Sequence, residues 1–172
     1  MDKIPSFQVN HTKLKPGIYT AREFRFPDPE SMVTILDLRF VKPNRGGMFA
    51  TKVIGPKALH TIEHLGAIFL RNHSEHRDKV IDFNPMGCRT GFYLSMAGYW
   101  PPALNNATHR LVIDLCNFIV QFDGRIPGAS PQECGNWQEH DLSAAKRHTG
   151  KYLKALLHDP CFEYPILNTK EE

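Results

Sequence analysis

No window of this 172-residue chain approaches the roughly 18 consecutive apolar residues that a membrane-crossing helix needs. The start, MDKIPSFQVNH, also lacks the apolar run that follows a basic segment in a secretory signal, so the expected location is the cytoplasm. An excess of one charge is missing too. The 21 basic and 18 acidic residues leave a formal +3 spread along the chain, with no basic stripe to track phosphates, and nucleic acid is not an expected partner. Cysteine is sparse: Cys88, Cys116, Cys134 and Cys161 are far apart, and in a reducing compartment metal binding or catalysis accounts for such cysteines better than a disulfide framework. Neither an internal repeat nor a low-complexity tract divides the chain, and its length suits one domain spanning residues 1–172.

What is present is punctuated by turn residues. The aromatic and β-branched segments IYTAREFRF (Ile18 to Phe26) and MVTILDLRFV (Met32 to Val41), separated by PDPE, read as an antiparallel pair of strands. KPNRGGMFATKVIGP reads as a loop, and Pro56 suits the first turn of a helix whose Leu59, Ile62, Leu65, Ile68 and Phe69 form one apolar stripe. VIDFN and TGFYLSMAGY flank the turn PMGC as two further strands, with Phe92, Leu94 and Met96 alternating on one face. Leu111, Leu115, Phe118, Ile119 and Phe122 mark a second helix. Asp141 is the expected N-cap of a third, whose Leu153, Leu156 and Leu157 are expected to face the core. Strands followed by helices without regular alternation predict an α+β fold, an antiparallel β-sheet with helices packed on one face.

Within the first helix, HTIEH places His60 and His64 four residues apart. On a helix those positions share a face, so both imidazoles can aim at one metal ion. Glu63 stands beside the pair at an angle better suited to proton transfer than to ligation. The order H-x-x-E-H is that of the inverzincins, the inverse of the zincin motif. A catalytic divalent metal takes about three protein ligands, so a third must come from elsewhere. Cys88 in PMGCRTG and Cys134 in PQECGN both lie in glycine-flanked turns, and the residues alone do not choose between them. Cys116, inside the second helix, reads as a buried small hydrophobe, and Cys161 as inert. Arg89, adjacent to Cys88, is expected to favour its thiolate.

SFQVNH, LDLRF, HTIEH, PMGCRTGFY and ECGN, in this order and at these separations, resemble the S-ribosylhomocysteine lyase (LuxS) family over nearly the whole chain. The resemblance implies a LuxS/inverzincin-like metallohydrolase fold and one divalent metal per subunit, most often Fe2+, with Zn2+ or Co2+ as substitutes, held by His60, His64 and Cys134. It implies Glu63 and Cys88 as catalytic proton carriers, and Ser6, His11, Arg39, Arg71 and Asp82 as substrate contacts. It further implies a homodimer with the active site at the subunit interface. The expected reaction moves the carbonyl of S-ribosylhomocysteine along its sugar and ends in β-elimination to homocysteine and 4,5-dihydroxy-2,3-pentanedione, the autoinducer-2 precursor.

Two departures stand out. Phe83 and Asn84 precede the PMGC turn where an aliphatic residue and a serine are common, which bears on the shape of the sugar pocket. Gly66 replaces a bulkier residue, which is expected to loosen packing. Two alternatives compete: an inverzincin-type metallopeptidase with Glu63 as general base, and a non-enzymatic metal-binding or thiol-sensing domain in which Cys88 completes a closed four-ligand site.

Overall fold

Along the fourth strand, Phe92, Leu94 and Met96 are fully buried while Tyr93 and Ser95 between them are not, the period-two alternation of a sheet with two different faces. The computed structural model, which describes residues 4–27, 31–44 and 53–167, contains four such strands. They are β1 (Gly17–Arg25), β2 (Met32–Arg39), β3 (Val80–Pro85) and β4 (Gly91–Ala97), in the order β1-β2-β4-β3 with every pairing antiparallel. Most of the PDPE break and the centre of the KPNRGGMFATKV loop lie outside the described residues.

Three helices supply the second layer: α1 (Pro56–Arg71), α2 (Ala107–Gln121) and α3 (Leu142–His158). Pro56 opens α1 as the sequence predicts, because the first turn needs no backbone donor there. Asn106 caps α2 by accepting from the His109 amide, and Asp141 caps α3 by accepting from the Ala144 amide at 2.8 Å. Leu36, Leu38, Phe92, Leu94 and Met96 from the sheet share one core with Ile62, Leu65, Leu115, Ile119, Tyr152 and Leu156 from the helices. The α+β architecture is therefore the expected one.

Several expectations are corrected. Leu157 is 59% exposed, because α3 turns Ala145, Thr149, Tyr152 and Leu156 inward instead. Ile68 is also partly exposed and borders a cavity. Gly66 does not loosen packing: the Phe83 ring lies so close that a Cβ on Gly66 would overlap it. Phe83 is buried and stacks on Phe92 with ring centroids 4.9 Å apart. The two departures noted in the sequence are thus one feature, a large ring seated on a residue without a side chain.

The opposite face of the sheet carries a smaller cluster of Val9, Leu14 and Tyr19, against which Cys161 and Tyr164 pack. Both the N-terminal segment and the segment after α3 cross this face.

Candidate functional site

The helix spacing of His60 and His64 brings their ring centroids to 4.5 Å. Each Nδ1 faces a backbone carbonyl, Glu139 O at 3.0 Å for His60 and Pro127 O at 2.7 Å for His64. A carbonyl oxygen only accepts, so each Nδ1 carries the hydrogen and each Nε2 keeps a lone pair for a metal. The loop that places Pro127 comes so near that the left-handed Gly128 (φ 72°) would put a Cβ 3.1 Å from the His64 ring; glycine satisfies both demands. Cys134 Sγ lies 3.4 Å from His60 Nε2 and also receives the Asn136 amide at 3.4 Å. The ligand atoms of His60, His64 and Cys134 all lie within 4.8 Å of one another, the one such group among the described residues. Two imidazoles with free Nε2 lone pairs and a cysteine sulfur fit a divalent transition metal. Cys88 is not in the group, so of the two turn cysteines Cys134 has the ligand geometry, and a closed site completed by Cys88 is excluded.

Sequence reasoning missed His140. Its ring stacks on His60 at 4.3 Å and meets His64 edge-on at 4.8 Å. Burial, then the neighbouring His60 and His64, push His140 down to about 4, so it is neutral at pH 7. Its Nδ1 sits 3.3 Å from Thr61 Oγ1, which in turn accepts the Asp141 amide. It stands directly before the α3 cap Asp141.

Beside the trio opens a cavity of about 360 Å3 lined by Glu63, His64, Arg71, Asp82, Asn84 and Gly128 among others. Arg71 Nη2 and Asp82 Oδ1 are 3.4 Å apart and both side chains are about half exposed, so the pair is weakly held and available to a ligand. Asn84 donates to Asp82 Oδ2, which places the asparagine at the cavity wall while Phe83 turns its ring toward the core.

A second cavity of about 250 Å3 lies over the other face of the sheet and is lined by Ser6, His11, Asp37, Arg39, Cys88 and Tyr164 among others. Arg39 is buried, not a surface ion pair: one guanidinium nitrogen, Nη2, donates to Asp37 Oδ2 at 2.5 Å, while Nη1 reaches Thr90 Oγ1 at 2.5 Å and Cys88 Sγ at 3.8 Å. Cys88 Sγ is 3.0 Å from the Thr90 hydroxyl. Burial pushes the Cys88 thiol up, but the Thr90 hydrogen bonds and the Arg39 guanidinium outweigh it and leave the thiol below its ordinary value. The expected role of Arg89 is therefore corrected. That residue is exposed, in a left-handed turn conformation (φ 57°), and the cation at the thiol is Arg39. Cys116 is fully buried and its thiol is pushed far up by burial, consistent with a structural cysteine.

The two cavities share no lining residue. The structure thus brings Glu63, Arg71 and Asp82 into the cavity that His64 borders, and Ser6, His11 and Arg39 to Cys88, but within one chain it does not join the two sets.

The S-Ribosylhomocysteinase (LuxS) family model matches residues 4–161. An S-ribosylhomocysteine lyase of Desulfotalea psychrophila is 43% identical over 157 residues, covering 91% of this chain and 92% of the relative. One of Borreliella afzelii is 44% identical over 160 residues, covering 91% and 93%. One of Clostridium acetobutylicum is 42% identical over 157 residues, with 91% and 92% covered. With a match from end to end of the sheet and helices that build both cavities, the chain belongs to the S-ribosylhomocysteinase (LuxS) family.

Proposed function

We propose that residues 1–172 act as one metal-dependent carbon–sulfur lyase domain that converts S-ribosylhomocysteine to homocysteine and 4,5-dihydroxy-2,3-pentanedione, at a site completed by two copies of the chain. The observation that carries this reading is the division of the chemistry between two cavities. One has the ligand trio and a carboxylate, the other a low-affinity thiol for protons, and the reaction needs both.

His60, His64 and Cys134 would hold the ion, with Fe2+ the expected metal and Zn2+ or Co2+ workable substitutes. When bound, such an ion supplies Lewis-acid stabilisation to the negative charge that builds on the sugar oxygens. Glu63 removes and returns protons beside the migrating carbonyl, since it stands at the trio without belonging to it. Cys88 of the second copy takes a proton on the other side of the sugar; Arg39 and Thr90 keep its thiolate ready. Arg71 offers two parallel donors to the carboxylate of the homocysteine end, with Asp82 holding its other side, and Ser6 and His11 close the pocket from the second copy. We place this activity in the cytoplasm and its product in autoinducer synthesis. Among the described residues no helix is long and apolar enough to cross a membrane.

Mixing Glu63→Ala protein with Cys88→Ala protein after subunit exchange tests the reading. A shared site gives each mixed dimer one intact centre, so thiol release should return to about a quarter of the native rate, from half the dimers each with one of two sites. No recovery after verified exchange would mean that Glu63 and Cys88 serve within one chain.

A further inference from the structure

The stretch matched by the family ends at Cys161, yet the residues that follow return to the second cavity. The Asn10 amide donates to Pro165 O at 2.6 Å, the Leu167 amide donates to Gln8 O at 2.8 Å, and Val9 pairs with Ile166 as an antiparallel bridge. The tail is therefore pinned to the segment that carries Ser6 and His11. Tyr164 stacks flat on the buried Tyr19, centroids 4.6 Å apart and planes 9° apart, which fixes where its hydroxyl points. That hydroxyl donates to Asp37 Oδ2 at 2.8 Å, the same oxygen that receives Arg39 Nη2.

Asp37 and Arg39 are 1% and 5% exposed, so neither has water to fall back on. Asp37 Oδ1 and Arg39 Nε have no partner, which leaves the pair held through few bonds. Two donors converging on Oδ2 fix the carboxylate's rotation, and the carboxylate fixes the guanidinium. In that pose Nη1 meets both Thr90 and the Cys88 sulfur. Without the phenol, Oδ2 has only Arg39 to satisfy it. The carboxylate then draws the guanidinium charge toward itself and away from the exposed thiol, and the buried ion pair that makes the change has little water to screen it.

We propose that Tyr164 is a positioning residue: through Asp37 it holds Arg39 against Cys88, so the tail beyond the matched stretch governs how the thiolate is stabilised. For turnover this rests on Cys88 being a proton carrier; for thiol chemistry it does not.

The test uses metal-loaded full-length protein and the Tyr164→Phe variant, which keeps the ring stack and removes only the hydroxyl. Iodoacetamide labelling of Cys88, followed across pH by mass spectrometry of its peptide, reports the thiolate directly. The groups facing that sulfur or its partners are Arg39 and Asp37 on β2, Thr90 and Tyr93 at β4, His11 of the N-terminal segment and Tyr164 of the tail. The variant should label about threefold more slowly at neutral pH, the size expected for one hydrogen bond, with its midpoint moved up, and kcat should fall by a similar factor with KM little changed. An unmoved labelling profile overturns the proposal, whether or not the melting temperature drops, since a merely structural phenol would alter melting alone. Slower labelling with undiminished kcat would uphold the positioning role and instead refute Cys88 as proton carrier.

Discussion

The two cavities are built by opposite means. On the side that could hold a metal, His60, His64 and the Glu63 carboxylate come from five consecutive residues of α1, and backbone carbonyls of Pro127 and Glu139 orient the rings. On the thiol side the participants come from the N-terminal segment, β2, the turn before β4 and the tail, and their polar groups meet through side-chain hydrogen bonds around a buried ion pair. A helix sets its geometry by repeat, whereas a network sets it by mutual constraint. Damage to the first should be local and damage to the second should spread.

The largest expected effect separates the two sides outright. Cys134→Ala should lose bound metal, measured by elemental analysis of the purified protein, and turnover with it. Cys88→Ala should keep its metal yet lose at least about 10²-fold in thiol release, the typical contribution of a positioned proton carrier. The reverse pattern of metal contents would exchange the roles assigned to the cysteines.

Spread through the thiol side is next in size. Arg39→Met leaves Asp37 buried with the Tyr164 phenol as its remaining side-chain donor, and removing one partner of a buried pair costs about 3–5 kcal/mol. Denaturant unfolding should show that loss at pH 7. The sign with pH follows from Asp37, whose carboxyl is already held above its ordinary value by burial despite Arg39 and Tyr164. Removing Arg39 raises it further, so the folded state favours the proton. The variant's deficit should shrink as pH falls through the raised folded value and be greatest above it. A deficit constant from pH 4 to 7 would contradict the buried charge as its cause.

The metal side has its own coupling, below the helix. Gly66→Ala drives a methyl into the Phe83 ring and should cost about 1–3 kcal/mol as an overpacked core does. In a Phe83→Leu background the same substitution should cost much less, and additive losses in the double-mutant cycle would deny that the residues form one unit.

This contrast also explains what the sequence disclosed. The sheet, the three helices and the His60, His64, Glu63 cluster follow from periodicities of two and 3.6, which are local. The α3 face differs from the leucine stripe the sequence suggests, because Thr149 and Tyr152, and not Leu157, complete the buried stripe. Arg89 was the natural partner for Cys88 by adjacency, but consecutive residues in a tight turn point apart, and the cation arrives from β2 through the register Arg39 shares with Gly91. A Cβ on Gly91 would overlap the Leu38 carbonyl, so the absence of a side chain there lets β4 close on β2 beside that arginine. No spacing rule announces Tyr164, since its place depends on the chain returning across the sheet. Spacing alone likewise left Cys88 and Cys134 level; the family resemblance pointed to Cys134, and it is Cys134 that lies with His60 and His64.

The smallest effect probes how the thiolate is divided between its two supports. The Thr90 hydroxyl meets both the sulfur at 3.0 Å and the guanidinium at 2.5 Å, so it is the one group joining anion and cation directly. Thr90→Val keeps the shape and removes both bonds. Burial then acts on the thiol with less opposition, and Cys88 should move up toward its ordinary value. Labelling at neutral pH should slow by a factor of about three to ten, about one hydrogen bond's worth, while metal content stays native. Because the thiolate is the reactive form, the loss should be recovered as pH rises through the variant's higher midpoint. A variant that stays slow at every pH would show that Thr90 admits the reagent and does not stabilise the anion, and Arg39 would then be left as the thiolate's sole support.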